Sequence, residues 1–282
     1  QQQQEQPAAE KITIRFVGDL PTPPHPAAVA IDEWAKKLPE TLPGAEVRPY
    51  FAGSLYDINE AMQALETGNL EMVWGQSGKA AAWDPRMGIP TVPVVYTTVG
   101  AMTEGFPQSE VAKYIEDHLA SRGIKVFGWG DLSWYTAIGA KERLLTLDDI
   151  KGKKIRAFSP TLNKLIETWG GSPVTLAFGD VPSALSSGTI DGLVTSAGGW
   201  GQVKDLAPYY TVAGVSGVST DFYYVAASQK WWDSLKPETQ QTLEQEIQKL
   251  IETQKVYNWC YDLFIVEQFR TDDPSKPGIY EM

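Results

Sequence analysis

Cysteine is nearly absent from this chain: its 282 residues include one, Cys260. A single thiol excludes an internal disulfide and a cysteine-built zinc site. Cys260 falls in a helical pattern and reads as a small core or surface residue. Histidine is almost as scarce, with His25 and His118 the two that occur. Any imidazole-based triad would have to use one of them. His118 lies in a polar helical stretch and reads as solvated; His25, among prolines, reads as a loop residue. Basic residues are in deficit, 24 against 35 acidic, for a net charge of −11. That argues against nucleic acid, which is held through basic patches. No apolar run approaches the roughly 18 residues of a membrane helix. The deficit does not exclude an anionic ligand, because one buried arginine suffices to hold it inside an acidic protein.

The motifs of phosphate and acyl chemistry are also missing. Gly78-Lys79 lacks the earlier glycine of a phosphate loop, and Ala80 stands where its hydroxyl residue belongs. Gly198-Gly199-Trp200-Gly201 has the wrong spacing for a dinucleotide fingerprint. Gly75-Gln76-Ser77-Gly78-Lys79 misses a nucleophile elbow at its last position. No cofactor and no metal is expected, although an all-oxygen metal site leaves no comparable signature.

What is present is a soluble globule's share of apolar residues, 43%, with 21% charged. The length fits one large domain or two small ones. Gln1 to Glu10 is polar and of low complexity and reads as a disordered arm. No leader pattern is visible, and an exported protein after cleavage would look the same.

The chain alternates strand and helix. Ile12 to Val17 reads as a buried strand, ending at Gly18-Asp19-Leu20 before a proline-rich loop, and Ala27 to Leu38 as a helix. Glu46 to Phe51 reads as a strand. Asp57 caps the next helix with Glu60 three residues on; Gly68 stops it, and Leu70 to Trp74 leads as a strand to Gln76 and Ser77. The same unit returns later. Ile155 to Phe158 is a strand, Pro173 to Phe178 another, Asp180 caps a helix stopped by Gly188, and Thr189 to Thr195 is a third. Two such units predict two similar α/β lobes. Met87 to Val95 reads as a covering loop or short strand, Val111 to Leu119 as a helix, and Gly123 to Trp129 and Trp134 to Ala140 as strands. The crossing from Trp129 to Trp134 is the expected hinge. Tyr223 to Ala227 reads as a strand returning to the first lobe. Lys236-Pro237-Glu238 opens a long helix, with Leu243, Ile247, Leu250, Ile251, Tyr257, Tyr261 and Phe264 as its apolar stripe. Asp272 to Pro277 ends it.

This order puts Arg156 and the residues after Leu193 at strand ends. In open α/β sheets ligands bind at the carboxyl ends of strands, and arginine's flat fork of donors suits a carboxylate. Of the 10 tryptophans, Trp134 (with Tyr135) and Trp200 are the leading pocket candidates, because they fall near strand ends.

The run from Leu147 through Arg156 carries a family resemblance. So do Gly170-Gly171-Ser172-Pro173-Val174, Phe178-Gly179-Asp180-Val181, Ala184-Leu185 and Gly188-Thr189-Ile190-Asp191-Gly192. With Ala52-Gly53-Ser54-Leu55 and Lys230-Trp231-Trp232-Asp233-Ser234-Leu235, these resemble the solute-binding proteins of TRAP transporters, the DctP-like family. The resemblance runs from about Ile12 to Phe269. It implies a two-lobed α/β periplasmic binding protein, type II-like, with a hinge and a long C-terminal helix. Lobe I would be 11–131 plus 222–258, and lobe II 132–221 plus 259–282. Such a protein is not an enzyme: it closes on an organic acid and delivers it to membrane permease subunits. Its signal peptide would have been removed, and a monomer without membrane insertion is expected.

The resemblance places Arg156 at the family's carboxylate-pairing arginine. Gln76, with Ser77 beside it, falls where several members carry a polar or acidic pocket residue, and Asp19 where others place an asparagine. Many members follow the Asp-Gly pair with Glu-Asn or Glu-Trp. Here Asp191-Gly192-Leu193 runs into Val194-Thr195, leaving the hydroxyls of Thr195 and Ser196. A second arginine that some sugar-acid binders carry near Thr136 is missing. Both departures point to a simpler carboxylate, such as an aromatic or hydrophobic acid stacked on Trp134, Tyr135, Phe178 or Trp200. Small hydroxy, keto or C4-dicarboxylic acids stay open. The rival readings are an organic-acid enzyme on the same fold, with Asp19 or Asp180 as base, and the binding protein of an ABC importer or sensor kinase.

Overall fold

The computed structural model describes residues 10–18, 20–93, 95–133, 136–212 and 219–281. The predicted arm at 1–9 lies outside them, as do Asp19, Trp134 and Tyr135.

Among the described residues eleven strands form two sheets. The first holds β1 (Ile12–Gly18), β2 (Ala45–Phe51), β3 (Met72–Gln76), β4 (Ile124–Ser133) and β10 (Asp221–Ser228), in the order β2-β1-β3-β10-β4. The second holds β5 (Thr136–Ala140), β6 (Lys154–Ala157), β7 (Ser172–Thr175), β8 (Gly192–Ser196), β9 (Tyr209–Val212) and β11 (Gly278–Glu281), in the order β11-β9-β5-β8-β6-β7. The sheets share a pattern. Parallel β2-β1-β3 is followed by antiparallel β10, and parallel β7-β6-β8 by antiparallel β5. The repeat read in the sequence is therefore a repeat of topology, and the molecule has two α/β lobes.

Local chemistry sets the shared unit. Asp57 accepts the N–H groups of Asn59 and Glu60 at 2.8 and 2.9 Å, while the Glu60 carboxylate accepts Asp57 N–H at 3.1 Å. This reciprocal box opens the helix Ile58–Thr67, and Gly68 ends it in the left-handed region. Gly188 ends Val181–Ser187 in the same way. Asp180 precedes that helix, but its side chain makes no capping bond. The strand expected over Pro173 to Phe178 stops at Thr175, and Phe178–Asp180 forms a short 3₁₀ turn.

The hinge expectation shifts. β4 continues to Ser133, and Trp129 sits inside it, packed on Phe106 and Tyr224. The chain leaves the first sheet after Ser133 and enters the second at Thr136.

The long helix spans Pro237–Phe269. Leu243, Ile247, Leu250 and Ile251 enter the first sheet's core, and Ile265 and Val266 enter the second's. Between them the predicted stripe fails: Phe264 is 60% exposed, and the inward residues are Gln254, Asn258 and Asp262. They face the chain as it crosses between sheets. Gln254 Nε2 donates to Asp131 O at 2.8 Å, and Asn258 Nδ2 donates to Asp131 O and Leu132 O at 2.9 and 2.7 Å. Backbone that leaves a sheet needs side-chain partners, so amides replace aliphatics there. His118 is likewise not solvated but bonded through Nε2 to Asp84 at 2.7 Å.

Candidate functional site

The carboxyl ends of β3, β6 and β8 meet at a cavity of about 40 Å³ between the sheets. Leu20, Pro21, His25, Gln76, Lys79 and Tyr223 line it from the first lobe, with Leu132 at the crossing. Arg156, Phe158, Phe178, Thr195, Ser196 and Gly199 line it from the second. Two wider clefts, of about 350 and 410 Å³, share Lys79 with it. Among the described residues that line the small cavity the charged ones are Arg156 and Lys79, both cationic.

Arg156 lies on β6 between β7 and β8 and is 2% exposed. Its Nε donates to Leu176 O at 3.1 Å and its Nη1 to Val194 O at 3.2 Å. The guanidinium carbon lies 5.4 Å from the Phe158 ring centre and 5.8 Å from that of Phe178. A guanidinium fixed by carbonyls and flanked by rings keeps its fork in one plane, which favours bidentate recognition of a carboxylate.

Gln76 ends β3 and is 5% exposed; its Nε2 donates to Asp221 Oδ2 at 2.9 Å. Asp221, at the start of β10, also accepts Gly78 N–H at 3.0 Å and Phe222 N–H at 2.7 Å. Burial pushes its carboxyl up to about 6 against these three bonds. In the second lobe, Ser196 stands where Gln76 stands in the first. Its Oγ accepts Gly199 N–H at 2.9 Å, which caps the short helix Ala197–Gly201. Gly198 N–H in turn donates to Asp262 Oδ1 at 2.9 Å.

His25 occupies the N-cap position of the helix Pro26–Thr41 and is 8% exposed. Its Nδ1 has no hydrogen-bond partner among the described residues. Burial, reinforced by Lys79, holds its imidazole down at about 4, so it is neutral at pH 7.

The structure thus gathers Arg156, Gln76, Phe178, Thr195 and Ser196 around one cavity. It does not bring Ser77 or Trp200 to it. Ser77 is fully buried, with its hydroxyl donating to Met87 O. Trp200 is a core residue: its ring packs on Tyr210 and Phe269, and its Nε1 donates to Ala207 O at 2.7 Å. Proximity to a strand end misleads here because the short helix after β8 turns this side chain into the sheet. The cavity also takes Lys79, His25, Phe158 and Tyr223, which sequence reasoning leaves out. Lys79 follows the same elbow as Gln76, and that shared elbow is the one local signal for it.

A cavity between two topologically matched α/β lobes, at strand carboxyl ends and with cationic walls, defines a two-lobed binding protein. Residues 17–261 match the family described as bacterial extracellular solute-binding protein, family 7 (DctP), and the chain belongs to that family. Similar solved structures include a sugar acid binding protein of Advenella mimigardefordensis in complex with galactonate. It has a TM-score of 0.83 and 19% identity, over 97% of this chain and 87% of that one. A TRAP periplasmic solute binding protein of Sulfurospirillum deleyianum with bound succinate gives a TM-score of 0.79 and 22% identity, over 92% and 83%. Among curated relatives, a solute-binding protein of Chromohalobacter salexigens is 24% identical over 172 residues, 60% of this chain and 51% of its own length. The chain thus spans about half the length of that relative, and 62% of the next. Among the described residues no helix is long and apolar enough to cross a membrane.

Proposed function

We propose that this chain is the extracytoplasmic solute-binding protein of a TRAP transporter, working in the periplasm and handing an organic acid to membrane permease subunits. The observation that carries the reading is Arg156: a permanently charged side chain, 2% exposed, in the wall of a cavity between the two lobes. Its fork takes the ligand carboxylate, with Phe158 and Phe178 as flanking rings. Thr195 and Ser196 on one wall, and Gln76 on the other, meet the rest of the molecule.

The proposed lobe divisions, 131/132 and 221/222, fall within two residues of where the chain leaves the first sheet after Ser133 and re-enters it at Asp221, with the long helix shared between the lobes near 258. Ligand binding closes them by rotation about these crossings. Ligands named for the solved relatives include galactonate, succinate and orotic acid; the first two support a small aliphatic or sugar acid here. The aromatic preference has less to rest on: Trp200 is core, and Trp134 and Tyr135 lie outside the described residues. No turnover is expected of a trap of this kind.

The test is a thermal-shift and calorimetric screen of aliphatic, sugar and aromatic acids. Arg156→Ala is expected to cost about 3–5 kcal/mol of binding, on the order of a hundredfold to several thousandfold, while the fold stays intact. Near-native affinity in that variant, or chemical conversion of the bound acid, would overturn the reading.

A further inference from the structure

We propose that Asp221 locks the Gln76 amide with Oε1 toward the ligand, so that the site selects acids bearing a hydroxyl over their deoxy and keto counterparts. The inference rests on the carboxylate reading above and names what the opposite wall recognises.

An ionised carboxylate only accepts hydrogen bonds. Asp221 Oδ1 already takes the N–H groups of Gly78 and Phe222, and Oδ2 faces the Gln76 amide at 2.9 Å. The amide must therefore turn its NH₂ to Asp221, which leaves Oε1 on the other side. Gln76 is 5% exposed and lines the cavity. Among the described residues nothing donates to its Oε1. Once a ligand fills the cavity and displaces its water, a carbonyl left without a donor is costly, and a ligand O–H removes that cost. A deoxy ligand leaves the oxygen unpaired, and a keto oxygen meets it acceptor to acceptor. Sites built to bond a hydroxyl discriminate strongly for this reason.

The experiment is titration calorimetry at pH 7.5 with matched sets. These are lactate, propionate and pyruvate; malate, succinate and oxaloacetate; 2-hydroxyglutarate, glutarate and 2-oxoglutarate; and galactonate with hexanoate. In whichever set binds, the hydroxy acid is expected to be about tenfold or more tighter than its partners. In Asp221→Asn, Oδ1 still accepts Gly78 N–H while an NH₂ replaces Oδ2. The Gln76 amide then turns over and offers its NH₂ to the ligand, and preference shifts to the keto acid. A purely structural role for Asp221 would lower all affinities together. Gln76→Met removes the acceptor and brings the hydroxy-to-deoxy ratio to within about threefold of unity; it serves if Asp221→Asn does not fold. Equal wild-type binding of hydroxy and deoxy acids, or an unchanged ratio in both variants, overturns the inference alone. If no acid binds, or if binding ignores Arg156→Ala, the carboxylate reading falls and takes this inference with it.

Discussion

Asp221 and Asp262 hold equivalent positions in the two lobes: each accepts the N–H of the glycine just past a strand-to-helix elbow. Gly78 donates to Asp221 at 3.0 Å and Gly198 to Asp262 at 2.9 Å. The carboxylates come from unrelated places, one from the start of β10 and one from the long helix. Each fixes the elbow that presents a cavity residue, Gln76 in one lobe and Ser196 in the other.

These buried acids set an unusual pH response. Burial raises Asp131 and Asp221 from 3.8 to about 6 and Asp262 to about 7. Between about pH 4 and 7 these three groups bind more protons in the folded chain than in the unfolded one, so their contribution to stability falls as pH rises through that window. His25, held down at about 4 by burial, works in the opposite sense below its ordinary 6.5, one group against three. The Asp149 carboxyl, lowered by the N–H groups of Thr146 and Leu145, opposes them only below its ordinary range. Tm is expected to be higher at pH 5.5 than at pH 7.5, and Asp262→Asn to remove much of the difference. A wild-type Tm that is flat or rising over that interval would contradict this.

The elbow glycines are required by close approach. A Cβ on Gly78 would lie 2.5 Å from Asp221 Oδ2, and one on Gly198 would lie 2.6 Å from the Tyr261 ring. Gly78→Ala and Gly198→Ala are each expected to lose about 1–3 kcal/mol in urea unfolding. A loss below about 0.5 kcal/mol would show that the elbows relax freely.

Arg156→Lys keeps the charge and discards the planar fork. Binding of whichever acid proves to be the ligand should weaken about 10- to 100-fold by calorimetry, less than in Arg156→Ala. Parity between lysine and arginine would mean that the site reads charge without geometry.

Asn258→Leu removes two hydrogen bonds to the crossing carbonyls of Asp131 and Leu132. Asp131 O keeps the Gln254 amide but Leu132 O loses its side-chain donor, which should cost about 1–3 kcal/mol by chemical denaturation. An unchanged midpoint would place that clamp outside the cooperative fold.

Features that depend on neighbours along the chain are legible in the sequence. Asp57 and Glu60 announce their box, Gly68 and Gly188 their stops, and the repeated unit its two lobes. Features that depend on distant partners are not. Gln76 and Asp221 are 145 residues apart, and nothing local marks Asp221 as a partner. The apolar stripe of the long helix holds through Ile251. Beyond it Tyr257 and Tyr261 are half-buried and Phe264 is exposed, because the inner face there answers backbone carbonyls as well as a core. The strands Tyr209–Val212 and Gly278–Glu281 pair with each other at the second sheet's edge. They are too short to show a period; Gly278–Glu281 is held by Tyr209–Val212, which in turn pairs with β5. Lys79 and His25 reach the cavity only through tertiary approach.

The helix Pro237–Phe269, 33 residues long, is a rod of about 50 Å anchored by aliphatic side chains at both ends in different cores. Any swing of one sheet against the other has to flex this rod or slide it in its seats. In the closure proposed above, it would act as a leaf spring across the gap, with the stiffness of its polar middle setting how far the jaws open and how readily they return.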